Sequence, residues 1–85
     1  MKVSYAPNFV RQFKAFDDAL RQEILEKIHL FQDRKNHKTL KVHKLHGRLV
    51  RRYSFSVNYR FRIVFSYLSR AEAVLLAVGD HSIYF

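Results

Sequence analysis

Apolar and polar side chains alternate from position 52 to position 67, interrupted only at Val64, and few folds can accept such a run. Tyr53, Phe55 and Val57 are interleaved with Arg52, Ser54 and Ser56. Tyr59, Phe61, Ile63, Phe65 and Tyr67 follow, interleaved with Arg60, Arg62, Val64 and Ser66. A period of two belongs to strands with one face on a core, because successive side chains point to opposite faces of a sheet. The spacing predicts two strands, 50–57 and 59–67, joined by a tight turn at Asn58. Tyr59 flanks that turn; it can stack on a base, but a core aromatic is the stronger expectation. If the aromatics face the core, Arg60 and Arg62 share the opposite face, where Arg52, Ser54 and Ser56 can join them. Residues 72–79 then form a nearly continuous apolar run, the pattern of a central strand.

The first half of the chain has the longer period of a helix. Phe9, Phe13 and Phe16 recur at i, i+4 and i+7 behind Pro7, whose missing N–H has no partner in a first helical turn anyway. Asp17 and Asp18 can cap a second helix. On it Leu20, Ile24, Ile28 and Phe31 form the buried stripe, helped by Leu25, while Arg21, Gln22, Glu23, Glu26 and Lys27 face water. Residues 2–6 alternate and read as a strand, and residues 37–48 as a basic connector ending in Leu45-His46-Gly47. The expected order is β-α-α-β-β-β. This is an α+β fold with two N-terminal helices on one face of a small, mainly antiparallel sheet, a three-strand meander to which the first strand can add. With 85 residues, two Gly and one Pro, a single domain over 1–85 is expected.

Charge says what such a domain meets. The formal net charge is +9, and its distribution is uneven. No acid lies between Asp33 and Glu72. Lys41, Lys44, Arg48, Arg51, Arg52, Arg60 and Arg62 fall in that interval, as do His37, His43 and His46. A one-signed stretch of this length repels itself, and it attracts phosphates. A polyanion, RNA above all, is the expected partner. The bland alternative is a merely solvated surface.

Other classes are excluded. Without cysteine there is no disulfide or thiolate metal site, which fits the reducing cytoplasm. The N-terminus has no signal-peptide pattern, and no stretch reaches the ~18 apolar residues of a membrane span. His43-x-x-His46 invites a zinc reading, but no nearby Cys or acid completes the ligand set. No phosphate-cradling glycine loop, nucleophile elbow or carboxylate dyad occurs. No cofactor is expected.

The element order, the Leu45-His46-Gly47 turn, the block from Tyr53 to Phe65 and the tail from Val78 to Tyr84 resemble the RelE/ParE superfamily of bacterial toxins, closest to RelE-type messenger-RNA interferases. The resemblance covers essentially the whole chain and is most specific from Leu45 onward. It implies a ribosome-dependent endoribonuclease that cuts messenger RNA in the decoding (30S A) site and a co-expressed antitoxin that neutralises it. Arg62 matches the family arginine that contacts the scissile phosphate. His81 matches its C-terminal acid–base histidine, Tyr84 is the nearest match to its C-terminal tyrosine, and His43 matches a connector histidine of some members. Where some members carry second-strand lysines, this chain has Arg51 and Arg52. Where others carry a connector glutamate it has no acid, Thr39 falling near that place, so the general base stays open.

Those residue types suit RNA cleavage without a metal. The ribose 2′-OH attacks the adjacent phosphorus, which requires a base, an acid for the leaving 5′-oxygen and cations for the phosphorane charge. Histidine titrates near neutrality, and arginine offers a permanently charged, bidentate fork. Arg62 is expected to stabilise the transition state and His81 to move a proton. Tyr84 would orient or stack on a base, while Arg60, Arg52 and Lys44 hold the backbone. Three other readings remain: a ParE-like DNA gyrase poison, a non-enzymatic nucleic-acid-binding module, and a toxin fold that has lost its activity.

Overall fold

A computed structural model describes residues 1–47 and 51–84. The elements run β1 (Lys2–Tyr5), α1 (Pro7–Lys14), α2 (Asp18–Phe31), a 3₁₀ turn (Arg34–Asn36), β2 (His43–Lys44), β3 (Tyr53–Ser56), β4 (Arg62–Ser69), β5 (Glu72–Gly79) and a second 3₁₀ turn (His81–Tyr84). They build one five-stranded sheet in the order β1-β5-β4-β3-β2. β1 lies parallel to β5 and the other pairs are antiparallel.

Local chemistry starts and stops the helices. Pro7 opens α1. The Asp17 carboxylate caps α2 by accepting from the Leu20 amide at 2.9 Å, satisfying one donor that a helix start leaves orphaned. Ile24, Ile28 and Phe31 are buried, whereas Leu25 is 45% exposed. The expectation that Leu25 joins the stripe is corrected, because its position turns it off the face that Ile24 and Ile28 bury.

The core forms where α2 meets the helix-facing side of β3, β4 and β5. Phe31 stacks on Phe55 with ring centroids 4.3 Å apart and meets Phe65 edge-on at 4.7 Å. Ile63, Leu75 and Val78 complete it, fully buried or nearly so. His37 belongs here too. Its ring stacks on Phe31 at 4.8 Å and its Nε2 lies 2.7 Å from the Phe31 carbonyl, so this connector histidine packs against the core.

Two predicted strands begin or end elsewhere. The alternation places a strand over 59–67, but β4 starts at Arg62. The Asn58 side chain is the reason. Its Oδ1 accepts from the amides of Arg60 (2.9 Å) and Phe61 (2.8 Å), and the Val57 amide donates to the Phe61 carbonyl at 2.9 Å. An Asx turn of this kind takes the backbone out of the ladder. Arg60 therefore sits in the hairpin loop, and the expectation that it shares a strand face with Arg62 is corrected. The other predicted strand, 50–57, forms β3 over Tyr53–Ser56, and its first position, residue 50, lies outside the described residues. The connector contains a short edge strand, β2, that has no alternation long enough to read.

β5 shows how the N-terminal half positions the C-terminal half. β1 pairs only as far as Leu75, so the rest of that β5 edge needs other partners. Register against β4 shifts where Val64 pairs Ala77 and Phe65 pairs Leu75, leaving Leu76 as the extra residue of a bulge. Asn8 of α1 donates to the Leu76 carbonyl at 3.1 Å, and Gln12 accepts from the Val78 amide at 2.8 Å. Two polar side chains of α1 thus hold the end of β5 in place of a neighbouring strand.

Candidate RNA-binding cleft

At that end of β5 the sheet brings together residues far apart in the chain. Arg62, the first residue of β4, pairs with Gly79, the last of β5, and His81 follows two residues later. A cleft of about 740 Å³ opens there, lined by Tyr59, Arg60, Arg62, Asp80, His81 and Ser82.

The hairpin loop sets Arg62. Its Nη1 donates to the carbonyls of Asn58 (2.7 Å) and Phe61 (3.1 Å), with a longer contact to Tyr59 (3.4 Å). Among the described residues no carboxylate pairs with Arg62, and its hydrogen bonds run from Nη1 alone. The remaining N–H groups of its five-donor fork have no protein acceptor there. The side chain is held in place without being neutralised, which is what an arginine needs in order to receive a phosphate.

His81 is set by the C-terminal 3₁₀ turn. The Asp80 carboxylate accepts from the Ser82 amide at 3.0 Å, and the Ile83 amide donates to the Asp80 carbonyl at 3.2 Å. Those Ser82 hydrogen bonds, backbone and side-chain, hold the Asp80 carboxyl below its ordinary range, with smaller help from the charges of Arg60 and His81. The turn folds tightly onto β5. A Cβ built on Gly79 would lie 2.4 Å from Cγ2 of Ile83, so glycine is required for this close approach.

The other expected residues fall around this cleft in different places. His43 pairs with Ser54, which pairs with Val64; alternation puts all three on the sheet face of Arg62. Two strand spacings and two residues of rise nonetheless separate His43 from Arg62, about 12 Å. Its Nδ1 lies 2.8 Å from the Lys41 carbonyl, and it is not brought to the cleft. Lys44 pairs with Tyr53 and so starts from the helix-facing side. Lys41 and Arg51 are exposed and hold φ of 59° and 64°, left-handed values uncommon for residues with a Cβ. Arg52 is exposed just before β3. Arg48 and the Tyr84 side chain lie outside the described residues. Ser54 is fully buried, so the face opposite the helices is partly covered.

Among the described residues only Arg21–Asp18 and Lys35–Asp33 form ion pairs. Among the described residues no carboxylate lies within ion-pair distance of the cations from Lys38 to Arg62, although Asp80 lines the cleft with Arg60 and feels its charge. Residue type alone does not reveal two contributors to the cleft, Asp80 and Ser82, which build the turn, and the expectation of Tyr59 as a core aromatic is corrected, because it is 99% exposed. The readable signal was Asn58, since an Asx turn moves the next residues off the sheet.

No family model matches the chain, and no curated protein matches it in sequence. Solved structures do match in fold. The YoeB–YefM toxin–antitoxin heterotetramer from Staphylococcus aureus superposes with a TM-score of 0.72 at 20% identity, covering 95% of this chain and 97% of that one. The archaeal RelE–RelB complex from Pyrococcus horikoshii OT3 gives 0.71 at 16%, covering 93% and 92%. The YoeB/ParE toxin from Agrobacterium tumefaciens gives 0.69 at 16%, covering 95% and 99%. The chain has the RelE/ParE-type fold over nearly its whole length.

Proposed function

We propose that this chain is the toxin of a toxin–antitoxin pair and that it cleaves messenger RNA in the ribosomal decoding site. The observation that carries the reading is the cleft itself, where an anchored but unneutralised Arg62 and an exposed His81 share one opening. The cleft lining carries two arginines to one acid, Asp80, and the sequence from residue 34 to residue 71 has cations and no acid, which supports a polyanionic substrate. The fold neighbours that are complexes with YefM and RelB support an antitoxin partner.

In this reading the fork of Arg62 takes the scissile phosphate and Arg60 a neighbouring one. The substrate's 2′-oxygen bonds to phosphorus as the bond to the 5′-oxygen breaks. One proton leaves the 2′-OH and one reaches the departing 5′-oxygen, giving a 2′,3′-cyclic phosphate and a free 5′-hydroxyl. His81 moves one of these protons, while Arg62 balances the charge that builds on the phosphoryl oxygens. The substrate supplies its own nucleophile, so positioning and charge are what the protein contributes.

Primer extension on a messenger RNA translated by purified ribosomes tests this. Discrete cuts within codons are expected, reduced roughly a hundredfold or more in Arg62→Ala and in His81→Ala. Growth arrest by a wild type that cuts nothing, with DNA replication stopping first, would replace this reading with gyrase poisoning. Salt-sensitive binding without scission would leave only a binding module.

A further inference from the structure

We infer that Tyr59 is a stacking platform for a nucleobase next to the phosphate held by Arg62, and that it gives the cleft a preference among bases; this rests on the ribonuclease reading above. Four observations carry it. First, Tyr59 is 99% exposed, so its ring contributes almost nothing to the core.

Second, the loop that presents Tyr59 is held firmly. Asn58 bonds the amides of residues 60 and 61, and its Nδ2 donates to Glu23 of α2 at 2.7 Å, which ties the hairpin to a helix. Phe61 packs edge-on against Phe16 with centroids 5.5 Å apart, and Arg60 lies over the Phe61 ring at 5.3 Å. Phe61 thus goes inward and Arg60 is laid against it, while Tyr59 alone is turned out. A platform on a braced loop loses little entropy when a base settles on it.

Third, Tyr59 lines the same cleft as Arg62 and His81, and its carbonyl is one of the acceptors of Arg62. The ring and the guanidinium therefore share one frame. Fourth, the ring is flanked by Arg60, which forms no ion pair among the described residues, in a stretch of sequence without an acid from residue 34 to residue 71. An aromatic beside cations is the pairing that single-stranded nucleic acid rewards, with bases on the ring and phosphates on the charges.

The test is the cleavage rate on ribosome-bound messenger RNAs that differ only in the codon in the decoding site, purine-rich or pyrimidine-rich. The proteins compared are wild type, Tyr59→Ala, Tyr59→Leu and Tyr59→Trp. Stacking predicts faster cutting of purine codons by the wild type. It predicts a loss of about 5- to 150-fold in Tyr59→Ala with the preference flattened, no rescue by leucine, and rescue by tryptophan. Because the ring is outside the core, all four proteins should melt together. Wild-type rate and preference in Tyr59→Ala, or rescue by leucine equal to that by tryptophan, would overturn the inference while the ribonuclease reading stands. So would a Tyr59→Ala that cuts normally but escapes neutralisation by the antitoxin, which would make the ring a protein anchor. A wild type that cuts none of the messages would remove the ribonuclease reading, and this inference with it.

Discussion

Replacing Gly79 by alanine should displace His81 without touching it. Gly79 is the last residue of β5, opposite Arg62, and its added Cβ would stand 2.4 Å from Ile83 Cγ2, where ordinary contact begins at 3.4 Å. The shortfall is about 1 Å. Isoleucine is branched at Cβ and stiff in χ1, so the strain passes to the backbone of the 3₁₀ turn. His81 rides on that turn, two residues before Ile83. Overpacking of this kind costs about 1–3 kcal/mol, and a misplacement of about 1 Å at a reacting group can cost a hundredfold in rate. Gly79→Ala should therefore lower the melting temperature and cut messenger RNA about a hundredfold more slowly in the ribosomal primer-extension assay. Ile83→Ala removes Cγ2, so the double variant should recover much of the rate relative to Gly79→Ala. Coupling between the two positions of at least about 0.5 kcal/mol is expected in a double-mutant cycle of stability. Wild-type rate in Gly79→Ala, or no recovery in the double variant, would refute the claim that the turn's close approach sets His81.

Three further outcomes follow from the same geometry. Gln12→Ala leaves the part-buried Val78 amide without its acceptor; it should cost about 1–2 kcal/mol and speed hydrogen exchange at Val78, more than Asn8→Ala does at the exposed Leu76 carbonyl. Lys41→Gly and Arg51→Gly relieve left-handed φ values and should each raise stability by about 0.5–1 kcal/mol while weakening RNA binding, as denaturant melts and filter binding would register. The Asp80 carboxyl titrates below its ordinary 3.8 when folded, so its support of the turn is complete above that value and is lost as pH falls through the lower folded one. The Ser82 amide shift in NMR should follow that titration, with a midpoint below 3.8, and should be flat in Asp80→Asn.

Much of this fold was legible because its hydrophobic periods are long and clean. Phe9 to Phe16 and Leu20 to Phe31 announce helices, and β5 coincides with the run read at 72–79. What escaped depends on side chains that replace backbone partners. Asn58 ends the alternation at its turn, although Tyr59, Arg60 and Phe61 continue it in sequence. The Leu76 bulge is invisible in an unbroken apolar run, and β2 is too short to carry a period. The cleft was less legible than the fold for a related reason. Arg62 and His81 stood out through a family resemblance, but their meeting depends on the Arg62–Gly79 register and on the turn that Gly79 admits. His43 carried the same resemblance and lies two strands away, because nothing in residue type reports distance across a sheet.

The central claim is that the cleft acts on RNA through the substrate's own 2′-OH. It is tested most directly by a messenger RNA carrying a single 2′-deoxyribose at the mapped cut, placed on the ribosome with the wild-type protein. The account predicts that cutting stops at that phosphate alone, while the unmodified message yields an upstream fragment ending in a 2′,3′-cyclic phosphate. Undiminished cutting at the deoxy position would contradict it.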